Sequence, residues 1–369
     1  MKKVGVITFH RAINYGAVLQ AYALQHTIDL LGGKAEIIDY RCTHLEDNYS
    51  LRKRLNSTKS LHAYMAVLLK VGIPLLKKKR KFRHFVNQYL HLSKPYFSDT
   101  IKECENEYDL LITGSDQVWN YHHTGFDRTY FLDFVKDKQK KSSYAASFGF
   151  EQLDESYKET YRCLLQDYKK ISVRENSGVD IVKDVLNNYS NVFTTIDPVF
   201  LLDAEQWMYK EVSEKEYILV YELMPSDTLM EIAIKFAKKY KKSIIRISGS
   251  VHRSRNNLVK EINSVHPEEF LGYIHDAEMI ITNSFHGTAF SIIFNKELYV
   301  VPLEGDMATL NTRMINLLRL FDMNNRVCTV FTEIVRKSVN WDLCNEVLSQ
   351  KKQEAKKYLK ELMEVVDSE

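Results

Sequence analysis

A chain of 369 residues, 45% apolar and 27% charged, has material for about two domains at roughly 150 residues each, which excludes disorder as its main state. The formal net charge of +3 excludes a uniformly basic nucleic-acid binder and an acidic tail protein. Its five cysteines, Cys42, Cys104, Cys163, Cys328 and Cys344, form no Cys-x-x-Cys or Cys/His cluster, so neither a disulfide framework nor a zinc site is expected.

Lys3 to Phe9 reads as a short strand with no long apolar leader before it, and cytoplasmic residence is expected. Val18 to Leu31 follows as a helix and Lys34 to Tyr40 as a second strand. Leu61 to Leu76 is interrupted by Lys70, Gly72 and Pro74 and falls short of the roughly 18 apolar residues of a spanning helix, so any membrane contact is expected to be peripheral. Further strands are predicted at Leu110 to Thr113, Ser143 to Ser147, Lys170 to Val173 and Val192 to Thr195. After a joint at about 203–215 the alternation restarts. Tyr217 to Tyr221, Ser243 to Ile247, Met279 to Thr282 and Leu298 to Val301 read as strands, with helices at Thr228 to Tyr240 and Thr288 to Phe294. Short apolar runs alternating with longer amphipathic ones are the pattern of βα units on parallel sheets. The expected architecture is two α/β lobes with a cleft between them. The first lobe is placed at 1–210 with a basic helical insert at about 51–100, the second at 211–330, and C-terminal helices at 331–369.

Polar loops at the carboxyl ends of parallel strands are where such folds bind ligands. The loop Asn14-Tyr15-Gly16 precedes the first helix, but Gly-x-Gly-x-x-Gly and Walker A sequences are absent, which disfavours nicotinamide cofactors and P-loop nucleotides. Gly114-Ser115-Asp116-Gln117-Val118-Trp119-Asn120 offers Asp116 as a general base for a sugar hydroxyl and Trp119 for stacking on a pyranose. The structural alternative is that Asp116 caps a helix and Trp119 is core. Arg174, directly after a strand, presents a planar fork to a carboxylate or phosphate, or else pairs with Glu175 or another acid of the protein itself. His286 lies at a helix start among Ser284 and Thr288, where amides and hydroxyls can surround an anion while the imidazole donates a proton. Arg313 supplies a second cation beyond the strand at Leu298.

Several motifs, in order from Lys3 to about Leu318, carry a resemblance. They are Thr8-Phe9-His10 with Asn14-Tyr15-Gly16-Ala17, the Gly114 to Asn120 loop, Ser172-Val173-Arg174-Glu175, Asp197-Pro198-Val199, and Asn283-Ser284-Phe285-His286-Gly287-Thr288-Ala289. The chain resembles the polysaccharide pyruvyl transferase family. That resemblance implies a GT-B-like pair of Rossmann-like lobes and transfer of pyruvate from phosphoenolpyruvate to a hexose of a surface polysaccharide or its lipid-linked repeat, forming a ketal. It also implies that Arg174 and His286 contact phosphoenolpyruvate. Ser284, Thr288 and Arg313 are expected to join them on the donor, with Asp116 and His286 catalytic and Asn14, Tyr15, Trp119 and Asn120 on the acceptor. No cofactor, metal or nucleic acid is expected. The chain departs from the family pattern at Ser284, where well-known members carry arginine. Two rivals follow: a nucleotide-sugar glycosyltransferase of the same architecture, with Glu304 holding a ribose, and a non-catalytic glycan-binding protein.

The small net charge is itself a cancellation. Residues 51–100 hold twelve Lys and Arg against one acid, a net of +11, which leaves −8 for the rest. Leu61, Tyr64, Met65, Leu68 and Leu69 recur at helical spacing before Lys77-Lys78-Lys79-Arg80-Lys81-Phe82-Arg83. A solvated helical face is the plain reading, and an interfacial surface for an anionic membrane is the sharper one.

Overall fold

Lys-Val-Gly-Val-Ile is apolar at successive rather than alternate positions, which suits a parallel strand covered on both faces. It forms β1 (Lys3–Ile7), the middle strand of a five-stranded parallel sheet. The computed structural model describes residues 1–48, 69, 72–187, 189–248, 254, 256–305, 308, 311–331 and 338–364. The helical spacing expected at Leu61 to Leu68 lies outside the described residues.

The chain divides into two compact units, Met1–Ser50 with Val86–Leu202 and Leu348–Glu369, and Leu51–Phe85 with Asp203–Val347. After β1 the first part of the chain forms α1 (Tyr15–Leu30), β2 (Lys34–Tyr40), α2 (Thr43–Asn48), α3 (Ile73–Tyr89), β3 (Leu92–Tyr96), β4 (Leu110–Thr113) and α4 (Tyr121–Thr124). It continues through β5 (Lys141–Ser143), α5 (Lys158–Leu165), β6 (Ile171–Val173), α6 (Asn176–Val185) and β7 (Val192–Thr194). The first sheet runs β3-β2-β1-β4-β5, and isolated bridges from Ser142 to Lys170 and from Ala146 to Val173 join β5 to the β6-β7 pair. Trp119, Phe131, Phe148 and Tyr161 pack in its core.

The second part repeats the design with β8 (Tyr217–Glu222), α7 (Asp227–Tyr240), β9 (Ser243–Ser248), β10 (Val259–Ile262), α8 (Pro267–Asp276), β11 (Met279–Thr282), α9 (Phe285–Ile293), β12 (Glu297–Val300), α10 (Asn311–Leu320) and α11 (Trp341–Glu364). Its parallel sheet runs β10-β9-β8-β11-β12, over a core that includes Leu229, Phe236, Ile281 and Tyr299.

Two departures from the sequence reading concern domain membership. The described residues 72–85 group with the second unit, not the first; within that unit the Lys81 ammonium donates to the Ser264 carbonyl at 2.9 Å and His84 packs edge-on against His266. The end of α11 groups with the first unit, where the Tyr358 hydroxyl donates to the Ser143 carbonyl at 2.9 Å and Lys170 pairs with Glu361 at 2.7 Å. Element boundaries moved for local reasons. The strand expected at 143–147 stops at Ser143 because Ala145 adopts a positive φ of 45°. The first helix starts three residues early because the Asn14 side chain caps it, accepting from the Ala17 amide. Strands β3 and β10 escaped the pattern because both are edge strands, Leu-Ser-Lys-Pro-Tyr and Val-Lys-Glu-Ile, whose charges and proline break the apolar run.

Candidate functional site

In the first sheet the chain winds outward in opposite directions from β1 and β4, so the loops leaving these neighbours part and open a crevice at their carboxyl ends. Ile7 pairs with Thr113, so the loop Thr8 to Asn14 and the loop Gly114 to Asn120 begin at the same level. They are tied together: the Thr8 hydroxyl donates to the Ser115 carbonyl at 3.0 Å and accepts from Gln20 at 2.8 Å. Gly114 has φ +117°, and a Cβ there would stand 2.1 Å from the Tyr144 carbonyl oxygen, so no side chain fits.

Three of the motifs meet here through one guanidinium. Arg174 Nη2 donates to Ser115 Oγ at 2.5 Å and lies 2.8 Å from Asp197 Oδ2, with the side chains of the pair 3% and 0% exposed. The Asp197 carboxylate also accepts from the Val199 amide at 3.0 Å, fixing the turn at Pro198–Leu201. The next residue, Glu175, accepts from the Ser147 hydroxyl at 2.5 Å. Arg174 therefore braces the strand ends of the first unit. Its planar fork is met by an acid of the protein itself, the alternative weighed for it, and that acid is Asp197 instead of Glu175.

The acceptor residues expected in this unit fare differently. Asp116 is partly exposed in a left-handed conformation at φ 70°, its carboxylate accepting from the Gln117 amide at 2.9 Å. Trp119 is a correction: it is fully buried, stacked on Phe131 and met edge-on by Tyr168, and its indole donates to the Tyr130 carbonyl at 3.2 Å. Burying roughly 200 Å² of indole at about 25 cal/mol per Å² contributes about 5 kcal/mol, which no exposed stacking platform retains. Asn14 and Asn120 each cap a helix, Asn120 accepting from the His122 amide at 3.0 Å. Tyr15 is buried in the first turn of α1.

Sequence reasoning missed a charged cluster beside this crevice. The buried Asp39, at the end of β2, is met by His10 at 3.1 Å, Arg11 at 3.2 Å and Arg41 at 2.8 Å. Burial alone would push its carboxyl up, but the hydrogen bonds from His10 and Arg41 and the charge of Arg11 hold it well below the usual carboxylate range. The signal available in the sequence was an aspartate inside an otherwise buried strand.

In the second sheet the reversal falls between β8 and β11. Asn283 bridges the two loops, accepting from the Leu223 amide at 2.8 Å and donating to the Met224 carbonyl at 2.7 Å. Ser284 caps α9, its hydroxyl accepting from the Gly287 amide at 3.3 Å, while the Thr288 hydroxyl donates back to the Ser284 carbonyl at 3.0 Å. Both hydroxyls read as donor contacts thus have partners within the motif. A Cβ on Gly287 would meet Thr282 Oγ1 at 2.5 Å and the Tyr221 ring at 2.8 Å, so this glycine lets α9 start directly against the sheet. Phe285 and His286 occupy the first turn, where amides point out of the helix end. The His286 ring lies edge-on to Phe285 with centroids 5.2 Å apart, and the Arg313 guanidinium sits 5.9 Å from the centre of the same Phe285 ring. Arg313 thus lies at the Phe285 ring of the late motif, and Arg174 belongs to the other unit. Glu304 accepts from the Thr228 hydroxyl at 2.8 Å. Also unforeseen is the buried pair of Glu222 with Arg246 at the end of β8, joined by Ser248 at 2.6 Å and by Glu261 at 2.8 Å from the same arginine.

Among the described residues no three His, Cys, Asp or Glu side chains gather as metal ligands, and no helix is long and apolar enough to cross a membrane. Several solved structures resemble the chain at low identity. A UDP-N-acetylglucosamine 2-epimerase from Rickettsia bellii aligns over 99% of this chain and 96% of its own, with a TM-score of 0.50 and 10% identity. A UDP-GlcNAc 2-epimerase from Methanocaldococcus jannaschii aligns over 94% and 92%, at 0.48 and 11%. Arabidopsis thaliana UGT89C1, complexed with UDP-L-rhamnose, aligns over 100% and 95%, at 0.47 and 11%. The fold is GT-B-like, with parallel sheets in both α/β units. No curated protein matches the sequence. The profile described as polysaccharide pyruvyl transferase matches residues 14–304, a span that contains the Gly114 to Asn120 loop, the Arg174–Asp197 brace and the start of α9, and the chain belongs to that family.

Proposed function

We propose that the protein transfers pyruvate from phosphoenolpyruvate to a hexose of a surface polysaccharide or of its lipid-linked repeat, closing a ketal across two hydroxyls. The observation that carries this reading is the start of α9. A helix end at a sheet's switch point, with His286 in its first turn and Arg313 beside Phe285, suits a small, multiply charged anion that must also be protonated.

In the second unit, Arg313 and the first amides of α9 hold the phosphate and carboxylate of the donor, Arg313 supplying the cation that Ser284 does not. His286 delivers a proton to the methylene carbon, leaving the adjacent carbon electrophilic. In the first unit, Asp116 takes the proton from the attacking sugar hydroxyl. Inorganic phosphate then leaves and a second hydroxyl attacks the same carbon, so one donor and one diol yield one ketal and one phosphate. Arg174 serves as a positioning residue in this scheme, holding the Ser115 end of the loop that presents Asp116.

Phosphate release from phosphoenolpyruvate with lipid-linked oligosaccharide present tests the proposal. Release that depends on the acceptor and disappears in His286→Ala supports it. Consumption of a nucleotide sugar without phosphate release supports the glycosyltransferase reading, and neither reaction supports a glycan-binding protein.

A further inference from the structure

We propose that the outward face of α3 is a docking surface for the anionic phospholipid surface of a membrane. Helix α3 carries six cations, Lys77, Lys78, Lys79, Arg80, Lys81 and Arg83, and no carboxylate. Its inward face is apolar, with Phe82, Phe85 and Val86 buried. Counting back from Arg83 in steps of three and four residues gives Arg80, Leu76 and Ile73, which therefore share one side of α3. Leu69, Ile73 and Leu76 are 57%, 40% and 54% exposed, and Lys77, Arg80 and Arg83 are exposed beside them. Two aliphatic side chains in line on α3, with the exposed Leu69 shortly before it and a cationic row following directly, match a helix that sinks apolar chains into the acyl boundary and keeps its cations at the level of the phosphates.

The chemistry selects lipid over nucleic acid. A nucleic acid engages the cations but leaves three aliphatic chains in water, and the outward row offers no aromatic ring on which bases stack. The proposal stands independently of the transfer reaction, since it rests on α3 and Leu69 alone.

The test is co-sedimentation of the full chain with vesicles of phosphatidylcholine, alone or mixed with phosphatidylglycerol, at low and high salt. The expected result is salt-sensitive binding that requires phosphatidylglycerol. With each cation near the surface worth about fivefold, the triple variant Lys77→Gln, Arg80→Gln, Arg83→Gln binds about a hundredfold more weakly. The variant Leu69→Ser, Ile73→Ser, Leu76→Ser also loses binding. Absent binding, binding equal on both vesicles, or binding unmoved by either variant overturns the proposal, as does preference for a DNA duplex over vesicles. Should either multiple variant unfold, Leu76→Trp in the otherwise native chain reads the same contact. A blue-shifted emission on phosphatidylglycerol vesicles supports it and an unshifted one overturns it.

Discussion

Replacing Arg174 by methionine separates a bracing role from direct donor contact. The change leaves Asp197, whose side chain is fully buried, without the guanidinium 2.8 Å away. Breaking a buried ion pair from one side costs about 3–5 kcal/mol, because the remaining charge stays desolvated. Ser115 loses one partner but still donates to the Ala145 carbonyl at 3.0 Å, so little is added there. Asp197→Leu alone strands the arginine and costs a similar amount, together with the cap on Val199, about 1 kcal/mol. Replacing both members removes the stranded charge, and the double variant is expected to recover most of the loss, since apolar pairs of similar volume substitute for buried ion pairs at little cost. Urea unfolding followed by circular dichroism measures the four species of this cycle. A single variant within about 1 kcal/mol of the native chain, or a double variant as unstable as the sum of the singles, refutes the bracing argument. A donor KM that rises in Arg174→Met with unfolding unchanged restores direct contact.

Three further outcomes follow from particular residues. His286→Ala lowers acceptor-dependent phosphate release by about 10²–10⁴-fold, the range for a lost general acid, with an unchanged melting curve; retained turnover removes His286 from the chemistry. Gly114→Ala forces a Cβ to within 2.1 Å of the Tyr144 carbonyl at φ +117° and is expected to lower the unfolding midpoint sharply, which a thermal melt checks. Burial pushes the Lys141 ammonium down to about 8, so between that pH and the usual value of about 10.4 the unfolded chain binds more protons than the folded one. Stability therefore gains with rising pH across this window, and comparison of native and Lys141→Met unfolding shows whether the gain disappears with the side chain.

Periodicity and turn chemistry made most of the fold legible. Continuous apolar runs at Lys3, Leu110, Tyr217 and Met279 mark strands buried on both faces, and the polar residues from Ser284 announce a helix start, because these signals act over a few neighbouring residues. The edge strands β3 and β10 were invisible because an edge tolerates the charges and proline that elsewhere end a strand. The motifs at Gly114, Arg174, Asp197 and His286 were legible as polar segments following strands.

What each motif residue touches was decided only by the tertiary structure. Trp119, three residues after Asp116, is read from sequence as a sugar platform, yet the indole turned into the core while the carboxylate stayed partly exposed. Arg174 and Asp197 stand twenty-three positions apart, and no local rule pairs them; the parallel pairing of β6 with β7 brings the two strand ends level and makes the bond. Sequence by itself determined which side chains are available and which segments bury, since both follow from local chemistry. Only the folded chain decided which charges meet, because that depends on strand order, a property of contacts between residues far apart in sequence.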